Sequence, residues 1–138
     1  AQQLRQLSME EKGLTAKELN FDQLYLLSRI IHYKYGHYRY SDELRMCSGE
    51  VILNRMASPE YPDTMEDVIF QAGQTNTVDK EEFALCVCPS KACVEAALRL
   101  LLGERMLEPE VVLETHYPAE GIYAVFCDDL LGNTYFVQ

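Results

Sequence analysis

Apolar residues at Phe21, Leu24, Leu27, Ile30 and Ile31 recur three and four positions apart, the spacing that lines one face of an α-helix. Asn20, followed by Gln23, supplies an N-cap, and the predicted helix runs to about Tyr35 and stops at Gly36. Ser41-Asp42-Glu43 caps a second predicted helix from about Asp42 to Met56, whose apolar positions are Leu44, Cys47, Val51, Ile52 and Met56. Ser58-Pro59 and Tyr61-Pro62 end it, because proline lacks a donor and restricts the residue before it. Asp63 or Thr64 then caps a short helix, Met65 to Phe70, closing near Gly73, and Gln74 to Asp79 is a polar loop. Pro89-Ser90 begins a third long helix to about Leu102, with Gly103 as its stop. Beyond Gly103 the pattern changes to short apolar runs. Val111 to Leu113, Ile122 to Phe126 and Tyr135 to Val137 are predicted strands, and Leu131-Gly132-Asn133 is a turn.

Residues 1–19 are polar and interrupted by Gly13, with Thr15 to Glu18 as a capping box, and they read as an N-terminal arm or linker. Residues 20–138 form one expected domain. Its class is α+β, mainly helical with a small C-terminal antiparallel sheet.

Composition narrows the partners. The chain of 138 residues carries 22 Asp+Glu against 12 Lys+Arg, a net charge of -10, and 48% hydrophobic residues. That is enough apolar material for a single core. The acidic balance repels phosphate backbones and anionic lipid, so nucleic acid and membrane surfaces are poor partners. The longest apolar window, Ala96 to Gly103, contains Arg99 and falls far short of the roughly 20 residues a bilayer span needs. Cys47, Cys86, Cys88, Cys93 and Cys127 are odd in number and match no usual zinc spacing. Free thiols are the expected state, a disulfide among Cys86, Cys88 and Cys93 the main alternative, and no metal or cofactor is expected.

Candidate chemistry rests on carboxylates, tyrosines and one polar loop. Glu43 falls in the first turn of a helix, where a carboxylate suits the helix dipole. Glu50 lies beside an apolar face. It either pairs with Arg55 or Arg29, or has a raised pKa and acts as a general acid. Tyr33, Tyr35, Tyr38 and Tyr40 form either an aromatic floor for a sugar or peptide, or core edges whose hydroxyls reach water. Gln74-Thr75-Asn76-Thr77 offers hydrogen bonds to a ligand.

The order of segments carries a resemblance. Leu26-Leu27-Ser28-Arg29 is followed by Val51-Ile52-Leu53-Asn54-Arg55, by Ser58-Pro59-Glu60-Tyr61-Pro62-Asp63-Thr64, and by Val68-Ile69-Phe70-Gln71-Ala72-Gly73-Gln74. Gly132-Asn133-Thr134-Tyr135-Phe136 closes the chain. Together these resemble the SleB-type cell wall hydrolases, the spore cortex-lytic family, over about Asn20 to Phe136. The resemblance implies a lysozyme-like α+β domain that cleaves peptidoglycan glycan strands, as a glycosidase or lytic transglycosylase, with one Glu protonating the glycosidic oxygen. It implies Lys34, Tyr35, Gln74, Thr75 and Thr77 as substrate-binding positions, peptidoglycan as partner, and a bacterial envelope, secreted or spore-associated location. The cysteine content alone suits a reducing cytoplasm.

The family's Glu is the exception. Counting five residues from Arg29 reaches Lys34, and counting back from Asn54 reaches Gly36, neither of them a carboxylate. Three readings follow: a relocated acid at Glu43 or Glu50, a non-catalytic module that binds glycan or a protein partner, or a partner that supplies the carboxylate.

Overall fold

The computed structural model of the chain describes residues 19–71 and 78–138. Residues 1–18 of the expected N-terminal arm and the residues Gln74, Thr75 and Thr77 lie outside that set. Among the described residues five helices come first: α1 Phe21–Tyr35, α2 Asp42–Ala57, α3 Met65–Ile69, α4 Lys80–Leu85 and α5 Lys91–Leu101. Three strands follow, β1 Leu113–Thr115, β2 Ile122–Phe126 and β3 Thr134–Val137. The architecture is α+β and mainly helical, and no helix among the described residues is long and apolar enough to cross a membrane.

Each helix starts where a short polar side chain satisfies a free amide. Asn20 accepts from the Gln23 amide, Ser41 from Leu44, Thr64 from Asp67, Asp79 from Glu81 and Glu82, and Ser90 from Cys93. At the far end of α5, Gly103 adopts φ 104°, a left-handed turn that suits glycine.

The strands form an antiparallel sheet of order β1-β3-β2, with β3 in the middle. Leu113, Glu114 and Thr115 face Val137, Phe136 and Tyr135 in register. On the other side an irregularity between Ile122 and Ala124 displaces Tyr123 from the ladder. β1 is shifted from its expected place at Val111–Leu113. The carbonyls of Val111 and Val112 are taken by Asn54 and Arg55 side chains instead of by a neighbouring strand.

α2 is the spine. One apolar cluster packs α1, α3 and α5 against it through Leu27, Ile30, Ile31, Met46, Val68 and Leu100. A second packs the sheet against it through Tyr35, Leu44, Cys47, Val51, Val111 and Phe136. Covered on both sides, α2 buries polar residues as well: Arg45, Ser48, Glu50, Asn54 and Arg55. Gly49 lets α1 and α5 approach, since a Cβ there would stand 2.5 Å from Leu100 Cδ1 and 3.0 Å from Ile31 Cδ1.

The buried polar groups of α2 hold loops by their backbones. Asn54 Nδ2 donates to the carbonyls of Glu108 (3.0 Å) and Val111 (2.9 Å), and Arg55 Nε donates to Val112 (2.6 Å). The Arg55 guanidinium also lies over the Tyr61 ring, 4.9 Å from its centroid. Arg45 takes the carbonyls of Tyr35 (2.9 Å) and His37 (2.9 Å), closing the C-terminal end of α1. Arg29 of α1 does the same for α4, through the carbonyls of Phe83 (3.0 Å) and Cys86 (2.8 Å).

Candidate functional site

The C-terminal end of α1, the first turns of α2 and the sheet converge on one region. α1 breaks at Gly36 and the chain turns through His37 to Tyr40 before Ser41 caps α2. That turn faces the β2–β3 hairpin across a cleft of about 270 Å³ lined by Arg39, Tyr40, Leu44, Phe126, Asp128 and Gly132, among others. Arg39 Nε bridges the cleft to both oxygens of Asp128, at 3.2 and 3.1 Å. Asp128 also accepts the amides of Leu130 and Leu131, which shape the hairpin. Those backbone donors and Arg39 together hold the Asp128 carboxyl below its usual range.

Behind the cleft is a buried charge. Glu114 on β1 is 5% exposed, accepts the Tyr35 hydroxyl at 2.7 Å and lies 3.5 Å from the Lys34 ammonium. Burial alone would raise the Glu114 pKa. The Lys34 charge, with the Tyr35 and Ser48 hydroxyls and His116, outweighs burial, so the net shift is downward and the carboxylate stays ionised. Burial and the Glu114 charge drive the Tyr35 phenol the other way, far above the usual tyrosine range. Tyr35 therefore remains a donor. Its ring meets Tyr40 edge-on, with centroids 4.9 Å apart, which links the buried pair to the cleft wall.

The residues singled out from sequence separate in space. Lys34 and Tyr35 come together at Glu114, but the Tyr35 ring is 1% exposed and its hydroxyl is already engaged. Of the remaining tyrosines, Tyr33 packs edge-on to Phe83 and bonds Glu82, whereas Tyr38 is 85% exposed and stacks on His37. Glu43 is exposed in the first turn of α2. Glu50 is fully buried, and its two oxygens accept the amides of Met106 (2.6 Å) and Leu107 (2.7 Å). Neither arginine weighed as its partner reaches it. Arg29 serves α4, and Arg55 serves the segment before β1.

Glu114 escaped the sequence reading because the strand was expected to end one residue earlier, at Leu113. Arg39 and Asp128, 89 positions apart, had no local signal. All five cysteines are free thiols, and Cys47 is pushed up to about 12 by burial and then by the charges of Glu50, Glu114 and Glu43. Among the described residues no cluster of His, Cys, Asp and Glu is arranged to hold a metal ion.

In the comparisons with known proteins, no curated protein and no solved structure matches the chain. One protein family does, over residues 41–126, a stretch that includes the spine helix α2, the Asn54-Arg55 loop clamps and Glu114. The chain belongs to the Cell Wall Hydrolase family.

Proposed function

We propose that this domain engages the glycan strands of peptidoglycan at the cleft between the Arg39–Ser41 turn and the β2–β3 hairpin, and that cleavage by the family's usual acid chemistry is lost or altered. One observation carries this reading: the carboxylate nearest the expected acid position is Glu114, paired with Lys34 and held ionised. A general acid must keep its proton near neutral pH, and an ion-paired carboxylate does not. Glu50 makes a poor replacement, since both its oxygens are engaged by main-chain amides and it has no exposed surface.

Glycan-strand hydrolysis or lytic transglycosylation is the second reading. Glu43 favours it, as the only one of the two relocated-acid candidates that reaches solvent. Either reading implies work at the bacterial envelope, secreted or spore-associated, with peptidoglycan or a protein bound to it as the partner.

Purified peptidoglycan separates the alternatives. Binding without cleavage gives co-sedimentation with insoluble wall and no release of reducing ends or anhydro-muropeptides. Release that disappears in Glu43→Gln establishes the relocated acid instead. Failure to sediment with any wall preparation removes the glycan reading altogether.

A further inference from the structure

Cys86 is the C-cap of α4, and Cys93 stands in the first turn of α5. The connection between them is tied to α1 at three places. Tyr25 Oη donates to the Val87 carbonyl (2.8 Å), Arg29 Nε to the Cys86 carbonyl (2.8 Å), and the Ser90 amide to His32 Nδ1 (3.1 Å). Both sulfurs consequently rest on the same turn of α1. Cys86 Sγ is 3.6 Å from the Arg29 carbonyl oxygen, and Cys93 Sγ is 3.8 Å from His32 Nδ1. Arg29 and His32 are three positions apart and so are neighbours on the helix surface.

The surroundings give the two thiols different characters. The Ser90 amide is a donor only, so Nδ1 is the acceptor nitrogen of the imidazole; its one lone pair takes the amide proton, and Cys93 Sγ lies beside it. Ser90 Oγ donates to Cys93 Sγ (3.2 Å), which stands in the N-terminal turn of an 11-residue helix. Cys93 is 0% exposed, whereas Cys86 is half-buried. Reagents from solvent therefore meet Cys86 first.

We propose that Cys86 and Cys93 form a reversible redox pair, with Cys86 as the reagent-facing thiol, Cys93 as the resolving thiol and a small-molecule disulfide such as glutathione disulfide as the oxidant. Cys86 gives its thiol proton to solvent and attacks the oxidant, forming a mixed disulfide and expelling one glutathione thiolate, which takes up a proton. Cys93, its proton passing to His32 Nδ1 as that nitrogen gives up the Ser90 amide, then attacks the Cys86 sulfur and expels the second. Two protein thiols lose two electrons, the oxidant gains them, and two molecules of glutathione leave.

The test uses the folded chain with glutathione disulfide. Trypsin cuts at Lys91, between the two residues. A Cys86–Cys93 bond therefore appears in the peptide map as two linked peptides lighter by two hydrogens, and reverts with dithiothreitol. In a Cys88→Ser/Cys127→Ser variant, which removes only exposed thiols, the same link forms with no lasting glutathione adduct. In His32→Gln the mixed disulfide on Cys86 persists, and its resolution slows by roughly tenfold or more. A map linking Cys86 to Cys88, or a stable adduct on Cys86 in the otherwise native chain, overturns the pairing. Resolution at the original rate in His32→Gln overturns the assignment of the base.

Discussion

Replacing Glu50 by Gln tests whether this carboxylate is a strut or an acid. Its two oxygens receive the Met106 and Leu107 amides at 2.6 and 2.7 Å in a fully buried setting. Gln keeps the shape but offers one carbonyl oxygen, so one amide meets an NH2 group and loses its acceptor. A hydrogen bond to a charged group contributes about 1.5–3 kcal/mol, and a stranded buried donor costs about 1–3 kcal/mol. Relief from burying the charge offsets part of this. The expected loss for Glu50→Gln is about 2–4 kcal/mol. Glu50→Ala strands both amides and leaves a cavity, raising the cost to about 4–6 kcal/mol.

Against a typical total stability of about 5–15 kcal/mol, the first variant folds with a Tm lower by about 10 °C, and the second is marginal. Urea titration followed by far-UV circular dichroism at neutral pH measures the change, with the slope against denaturant unchanged. A Glu50→Gln protein within about 0.5 kcal/mol of the parent refutes the strut reasoning. If that variant also lost glycan cleavage shown by the parent, Glu50 would be the acid.

Acid should unfold the protein in a way that depends on Lys34. The Glu114 pKa is depressed in the folded state, so its contribution is fully present above the unfolded carboxylate value of 4.5 and is lost as pH falls through the lower folded value. Lys34→Met removes the largest lowering influence, so burial dominates and the loss begins at higher pH in a Tm-against-pH series; superimposable acid limbs would contradict the pairing. Gly49→Ala forces Leu100 and Ile31 aside in a closed core and should cost about 1–3 kcal/mol; a stabilised variant, as helix propensity alone would give, shows that the core yields more readily than its packing implies. Arg39→Ala should weaken co-sedimentation with peptidoglycan severalfold while moving Tm by no more than about 2 °C, because the Asp128 pair is at the surface; undiminished binding moves the glycan site away from this cleft.

Legibility from sequence followed the range of the interactions concerned. α1 was readable because its apolar stripe and its Asn20 cap are both local, and the same holds for Ser41, Thr64 and Ser90. α4 went unread because six residues with Phe83 as the buried one are too short to show a period. α2 was located correctly, but its burial was not, since a helix enclosed on two sides has no polar face left to mark it. Its polar residues each answer a backbone group far along the chain. Glu50 and Asn54 reach partners 54–57 positions away, a pairing with no imprint on local spacing. The sheet suffered in the same way: Asn54 and Arg55 claim the carbonyls of Val111 and Val112, so β1 begins at Leu113, and Glu114 turns inward as part of it.

This division bears on what the family match means. Val51 to Gln74 carried the more specific part of the likeness, and in three dimensions the polar pair of its helical segment, Asn54 and Arg55, anchors the segment that leads into β1. Arg29, from the other helical motif, closes α4. These side chains build the scaffold and touch no open surface of the cleft, so they can persist whether or not a glycosidic bond is broken. Chemistry depends on a different set, the charges that the scaffold brings to the end of α1. There Lys34 and Glu114 neutralise each other, and on the reading proposed above the charge state of that pair, rather than the motifs, decides whether this fold can act as an acid.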